Sequence, residues 1–120
     1  MNATRAIAYV SHQEAMLIGL QSASPTPVKV AAHSHPTRQH ASDVRAEHEF
    51  FSSVCDEIDR FESVLVTGGH TPLADFHHYV EKHRPLVARH IAGYEVVDHL
   101  SENQLVALGR KRFDAFERLA

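Results

Sequence analysis

Cysteine is nearly absent: Cys55 is the single one in 120 residues. One thiol excludes an intrachain disulfide framework and a cysteine-rich zinc site, and makes a reduced, cytoplasmic compartment the expectation. Long apolar runs are missing too. No stretch approaches the ~20 residues a membrane-spanning helix needs, so no membrane partner is expected. The opening MNATRAIAYVSHQEA lacks a basic flank followed by an apolar core, so no secretory signal is read. Excess positive charge is also absent. The formal net charge is −3 at pH 7, which argues against strong non-specific nucleic-acid binding, since that requires a basic footprint.

What is present is an ordinary apolar fraction, 43%, with 22% charged residues. That balance fits one compact domain, because a chain of this length can bury roughly two thirds of its unfolded surface. Two full domains and disorder are both disfavoured. The unusual component is histidine, eleven in number; full protonation would carry the formal charge from −3 to +8. Histidine titrates near pH ~6.5, so mild acid should change the surface strongly.

Periodicity supplies the elements. RAIAYV (5–10) and EAMLIGLQ (14–21) read as two strands of a hairpin, and VKVAA (28–32) as a third, after the loop SASPTP. HSHPTRQHA (33–41) reads as a polar loop. Ser42 is the predicted N-cap of a helix to about Phe61, with Val44, His48, Phe51, Cys55 and Ile58 on one stripe. SVLVT (63–67) is a strand. Thr71 then reads as an N-cap and Pro72 as the first residue of a helix to about His83, with Leu73, Phe76 and Val80 inward. Pro85 interrupts, one further turn covers 86–90, and IAGYEVV (91–97) is a strand.

The last helix has the clearest start. Ser101-Glu102-Asn103-Gln104 is a capping box, flanked by Leu100 and Leu105 at the staple positions. The order β-β-β-α-β-α-β-α implies an α/β fold: a mixed five-stranded sheet with helices on its faces, the element order of ribonuclease H-like domains.

Three segments carry a family resemblance: IAYVSHQEA (7–15), VLVTGGHTPLADFHHYVEKHRPLVARHI (64–91) and GYEVVDHLSENQLVALGRKRF (93–113). Together they resemble small bacterial proteins related to the middle domain of archaeal and eukaryotic peptide-chain release factors and Pelota-type ribosome-rescue factors. The closing VVDHLSENQLVALGRKRF is the most specific piece. The resemblance implies a single translation-associated domain over 1–120, with the ribosome, RNA or a protein as partner. It also implies where catalysis would sit. Active release-factor domains carry Gly-Gly-Gln in the loop between the third strand and first helix. Here that loop is HSHPTRQHA, with Gln39 but no preceding glycines, so peptidyl-tRNA hydrolysis is not expected. The family's first strand commonly ends in Asp-His, and this chain has Ser11-His12. Ribonuclease H enzymes need a carboxylate on that strand to hold metal, so nuclease activity is not expected either. Larger relatives use neighbouring domains for placement; at middle-domain length, the alternatives are that this placement is lost or that a homo-oligomer or a partner supplies it.

Other residues carry chemistry by type and spacing. His33, His35 and His40 could gather one zinc or nickel ion, although no cofactor is required; the alternative is a solvated loop. Gly68-Gly69-His70-Thr71 at a helix start could receive an anion, and the glycines are equally explained by a tight turn. His12, Asp98 and His99 could form an acid–base set at strand ends if their strands adjoin, making a small hydrolase; alternatively Asp98 and His99 hold the turn before Ser101. His77 and Glu81 are i,i+4 neighbours, with His78 and His83 on the same helix and His70 just before it, and a solvated face is the simpler reading. Arg110, Lys111 and Arg112 give the last helix a basic side for RNA or a partner, although consecutive residues splay around a helix. Cys55 lies on an apolar stripe and reads as a packing residue. A non-catalytic translation-associated module is the favoured expectation.

Overall fold

The structure is a computed structural model. It describes residues 4–21, 26–32 and 40–119, with side chains of the first helix described from residue 44 onward. Strands β1 (Arg5–Val10), β2 (Glu14–Gly19) and β3 (Val28–Ala31) lead. Helix α1 (His40–Ile58), β4 (Ser63–Gly68), α2 (His70–His83), a 3-10 turn (Val87–His90), β5 (Ile91–Val96) and α3 (Glu102–Leu119) follow. The five strands form one sheet in the order β3-β2-β1-β4-β5. The first three pair antiparallel, while β1, β4 and β5 run parallel. The expected mixed sheet, in a ribonuclease H-like arrangement, is therefore what forms.

Side chains of a strand alternate between faces, and the two cores divide accordingly. Ala6, Ala8, Val10, Ala15, Leu17, Val64 and Val66 pack under α1 and α2 with Phe51, Phe76 and Val80. Ile7, Ile18 and Leu65 pack on the opposite face with Leu105, Val106 and Phe113 of α3. Burial on both faces is why these strands read as apolar runs rather than polar–apolar alternation. Small residues at 6, 8 and 15 leave room for the aromatic rings of α1 and α2. Phe51 and Phe76 meet edge-on there, with centroids 5.3 Å apart.

Local chemistry fixes the connections. Ser11 closes the β1–β2 turn: its hydroxyl lies 2.9 Å from the Glu14 carbonyl and accepts from the Glu14 amide at 3.0 Å. That serine does what an Asn-Gly pair does in other hairpins. Both capping-box bonds form, Ser101 N to Gln104 Oε1 at 2.9 Å and Gln104 N to Ser101 Oγ at 3.2 Å. Arg84, at the end of α2, donates to Asp56 (2.9 Å) and Ser52 (3.1 Å), tying α2 to α1.

Three local expectations are corrected. Helix α1 begins at His40, so Ser42 lies inside it rather than capping it. Gly69, not Thr71, is the N-cap of α2, and it caps without a side chain. Pro72 therefore falls later in the first turn, where a missing N–H still costs no helical bond. On α1, Val44 is 57% exposed, and Phe50 and Val54 join the buried stripe instead. The stripe is wider than one residue per turn because α1 packs against both the sheet and α2.

Candidate functional site

Parallel strands β1, β4 and β5 end together, with Val10 beside Gly68 and Gly68 beside Val96. The segments that follow them carry His12, Gly69-His70-Thr71 and Asp98-His99 respectively. This carboxyl edge is where open α/β sheets place ligands. Strand β4 lies between β1 and β5, so the adjacency that His12, Asp98 and His99 would need does not occur. His12 turns toward α2, its Nε2 3.1 Å from Asp75 Oδ2. His99 instead meets Tyr9 edge-on at 6.3 Å, and Tyr9 packs with the α3 core. Asp98 is exposed. His12 and His99 thus lie toward opposite faces of the sheet.

His33 and His35 lie outside the described residues, as does the side chain of His40. Gly68 has a packing reason. A Cβ there would stand 2.4 Å from the Val10 carbonyl oxygen, so the close approach of β1 and β4 demands glycine. None of the described glycines has a positive φ, so the Gly68-Gly69 pair does not serve a left-handed turn. His70 and Thr71 are exposed in the first turn of α2.

On α3, Arg112 is engaged: its guanidinium grips both oxygens of Glu95 at 2.7 and 3.0 Å. That carboxylate pushes the Arg112 pKa further up. Arg110 and Lys111 remain exposed on the basic side, with Arg110 Nη2 3.4 Å from the Leu20 carbonyl. His77 pairs with Glu81 at 3.2 Å and stacks on Tyr94 at 4.0 Å. Burial raises the Tyr94 phenol far above its ordinary value. Burial also pushes the Cys55 thiol to about 12, opposed in part by Arg84. Cys55 is therefore a protonated packing residue and not a nucleophile.

One group of titratable side chains among the described residues is not revealed by spacing along the chain. A cavity of about 230 Å³ between α1 and α2 is lined by Glu47, His48, Asp75, His78, Lys82 and His83 together with two aromatic rings. His48, Tyr79 and His83 contact each other ring to ring at 4.9–5.3 Å. His12, Glu47 and Asp75 offer ligand atoms that all lie within 4.8 Å of one another. No local motif links positions 12, 47 and 75; the sheet order brings the hairpin turn to the two helices. A second, more apolar cavity of about 330 Å³ on the α3 side includes Tyr9, Met16, Lys29, His99 and Leu105.

Solved structures share this fold. Pelota from Archaeoglobus fulgidus superposes with a TM-score of 0.61 at 16% identity, over 92% of this chain and 32% of Pelota. An archaeal translation termination factor, aRF1, gives 0.62 at 14% identity, over 97% of this chain and 39% of that one. Pelota from Thermoplasma acidophilum gives 0.59 at 10% identity, over 84% and 30%. The chain thus spans about a third of the length of the proteins it resembles. No protein-family model and no curated protein sequence matches it. Among the described residues no helix is long and apolar enough to cross a membrane.

Proposed function

We propose that the chain is a non-catalytic, translation-associated module that docks on the ribosome, its RNA or a protein of that machinery. The observation that carries this reading is the fold likeness to Pelota and to a translation termination factor over nearly the whole chain. The loop at the Gly-Gly-Gln position of the family reads HSHPTRQHA in this chain. His12 and His99 are held by partners on different faces of the sheet, and the thiol is buried. All three observations favour binding over chemistry. Arg110 and Lys111 supply an exposed basic contact on α3. On a chain of net charge −3 that contact is local, so docking is salt-sensitive but weak in its non-specific part. The work is cytoplasmic on this reading.

Co-sedimentation of tagged protein with ribosomes from lysate, at low and moderate salt, tests the reading. Expected is co-migration with ribosomal particles that falls with salt, and falls further in Lys111→Glu and in the His33/His35/His40→Ala variant. Protein confined to the soluble fraction at both salts refutes it.

A further inference from the structure

His12, Glu47 and Asp75 reach one point from three separate elements: the β1–β2 turn, α1 and α2. Ligand atoms bound at about 2.1 Å to one tetrahedral ion stand about 3.4 Å apart. His12 Nε2 and Asp75 Oδ2, at 3.1 Å, stand close to that spacing. The Glu47 carboxylate lies within 4.8 Å of both and needs only a side-chain adjustment. Two carboxylates this close repel each other, and His12 is the ion-pair partner of Asp75, while Glu47 has no ion pair among the described residues. A dication would balance both charges. Lys82 lines the adjoining cavity and is exposed; its long flexible arm can leave the carboxylates to a bound ion.

The donor chemistry selects among cations. One imidazole nitrogen with two carboxylates suits zinc, whereas calcium and magnesium prefer all-oxygen sites with more ligands. His12 and Asp75 are exposed and Glu47 is half-buried, so the mouth is open and water can complete the coordination. We propose that His12, Glu47 and Asp75 bind one zinc ion, which ties the hairpin turn to α1 and α2. The inference is independent of the translation reading.

Zinc chloride titrated into the full chain, followed by calorimetry and by thermal unfolding, tests it. Expected is one site per chain, with affinity at least tenfold weaker in His12→Ala and in Asp75→Asn but retained in the His33/His35/His40→Ala variant. The midpoint of unfolding should rise with zinc in the wild type and less in the first two variants. Metal-free midpoints near the wild-type value establish that the variants fold; Glu47→Gln replaces either one that does not. Absence of stoichiometric uptake overturns the proposal. So does uptake unchanged in His12→Ala and Asp75→Asn, or abolished by the His33/His35/His40 change alone.

Discussion

Gly68→Ala isolates the contact on which the centre of the sheet depends. The new methyl carbon would stand 2.4 Å from the Val10 carbonyl oxygen, 3.4 Å from its carbonyl carbon and 3.5 Å from its nitrogen. Carbon and oxygen ordinarily approach to about 3.3 Å, so the overlap is roughly 0.9 Å. All three atoms are backbone, and no rotamer change can relieve the clash. Strands β1 and β4 must separate at the Val10–Gly68 pair, and Thr67, whose hydroxyl donates to the Ala8 carbonyl at 2.7 Å, moves with them. Overpacking of this kind costs about 2–4 kcal/mol. For a domain of this size that lowers the unfolding midpoint by roughly 8–16 °C. Gly69→Ala is the control. Its Cβ meets only the Pro72 ring at 3.7 Å, and its φ of −66° suits any residue. Alanine is a poorer N-cap than glycine but narrows the unfolded ensemble, so the net change stays within about 0.5 kcal/mol. Urea unfolding at constant m-value measures both. The reasoning fails if Gly68→Ala is neutral, or if Gly69→Ala costs as much.

Two further predictions concern buried groups. Burial raises the Cys55 thiol from 9.0 to about 12. The unfolded chain therefore releases this proton first as pH rises, and stability falls between pH 9 and 12, by about 1.4 kcal/mol at pH 10. Denaturation at pH 8 and 10 should show a smaller loss in Cys55→Ala than in the wild type; equal losses would exclude the thiol as the cause. Thr67→Val keeps the shape of a fully buried side chain but removes its bond to the Ala8 carbonyl. A loss of about 1 kcal/mol is expected in urea unfolding, and a neutral result would mean that Ala8 finds another donor.

Features written in short-range contacts are legible in the sequence. Strand positions, the Ser101–Gln104 box and the Pro85 break each depend on residues a few positions apart, and each forms as expected. The Ser42 and Thr71 caps fail for a related reason. Both residues are competent caps by type, but α1 and α2 start earlier, at His40 and His70, and at α2 the extended backbone of Gly69 opens the helix without a side-chain cap. Val44 and Phe50 show the limit of a periodic stripe, because burial on α1 depends on where α2 lies as well as on the sheet.

The sequence by itself determined the element order, the class of sheet and the packing role of Cys55, since apolar periodicity, turn chemistry and polarity act locally. The local His77–Glu81 pair aside, only the tertiary structure decided which carboxylates meet His12. The strand order places β4 between β1 and β5 and parts His12 from His99, while the α1–α2 layer brings Glu47 and Asp75 to His12. Those pairings span tens of residues, and no local preference encodes them. They follow from burying two apolar faces of one sheet at once, and that constraint exists only when the chain is folded.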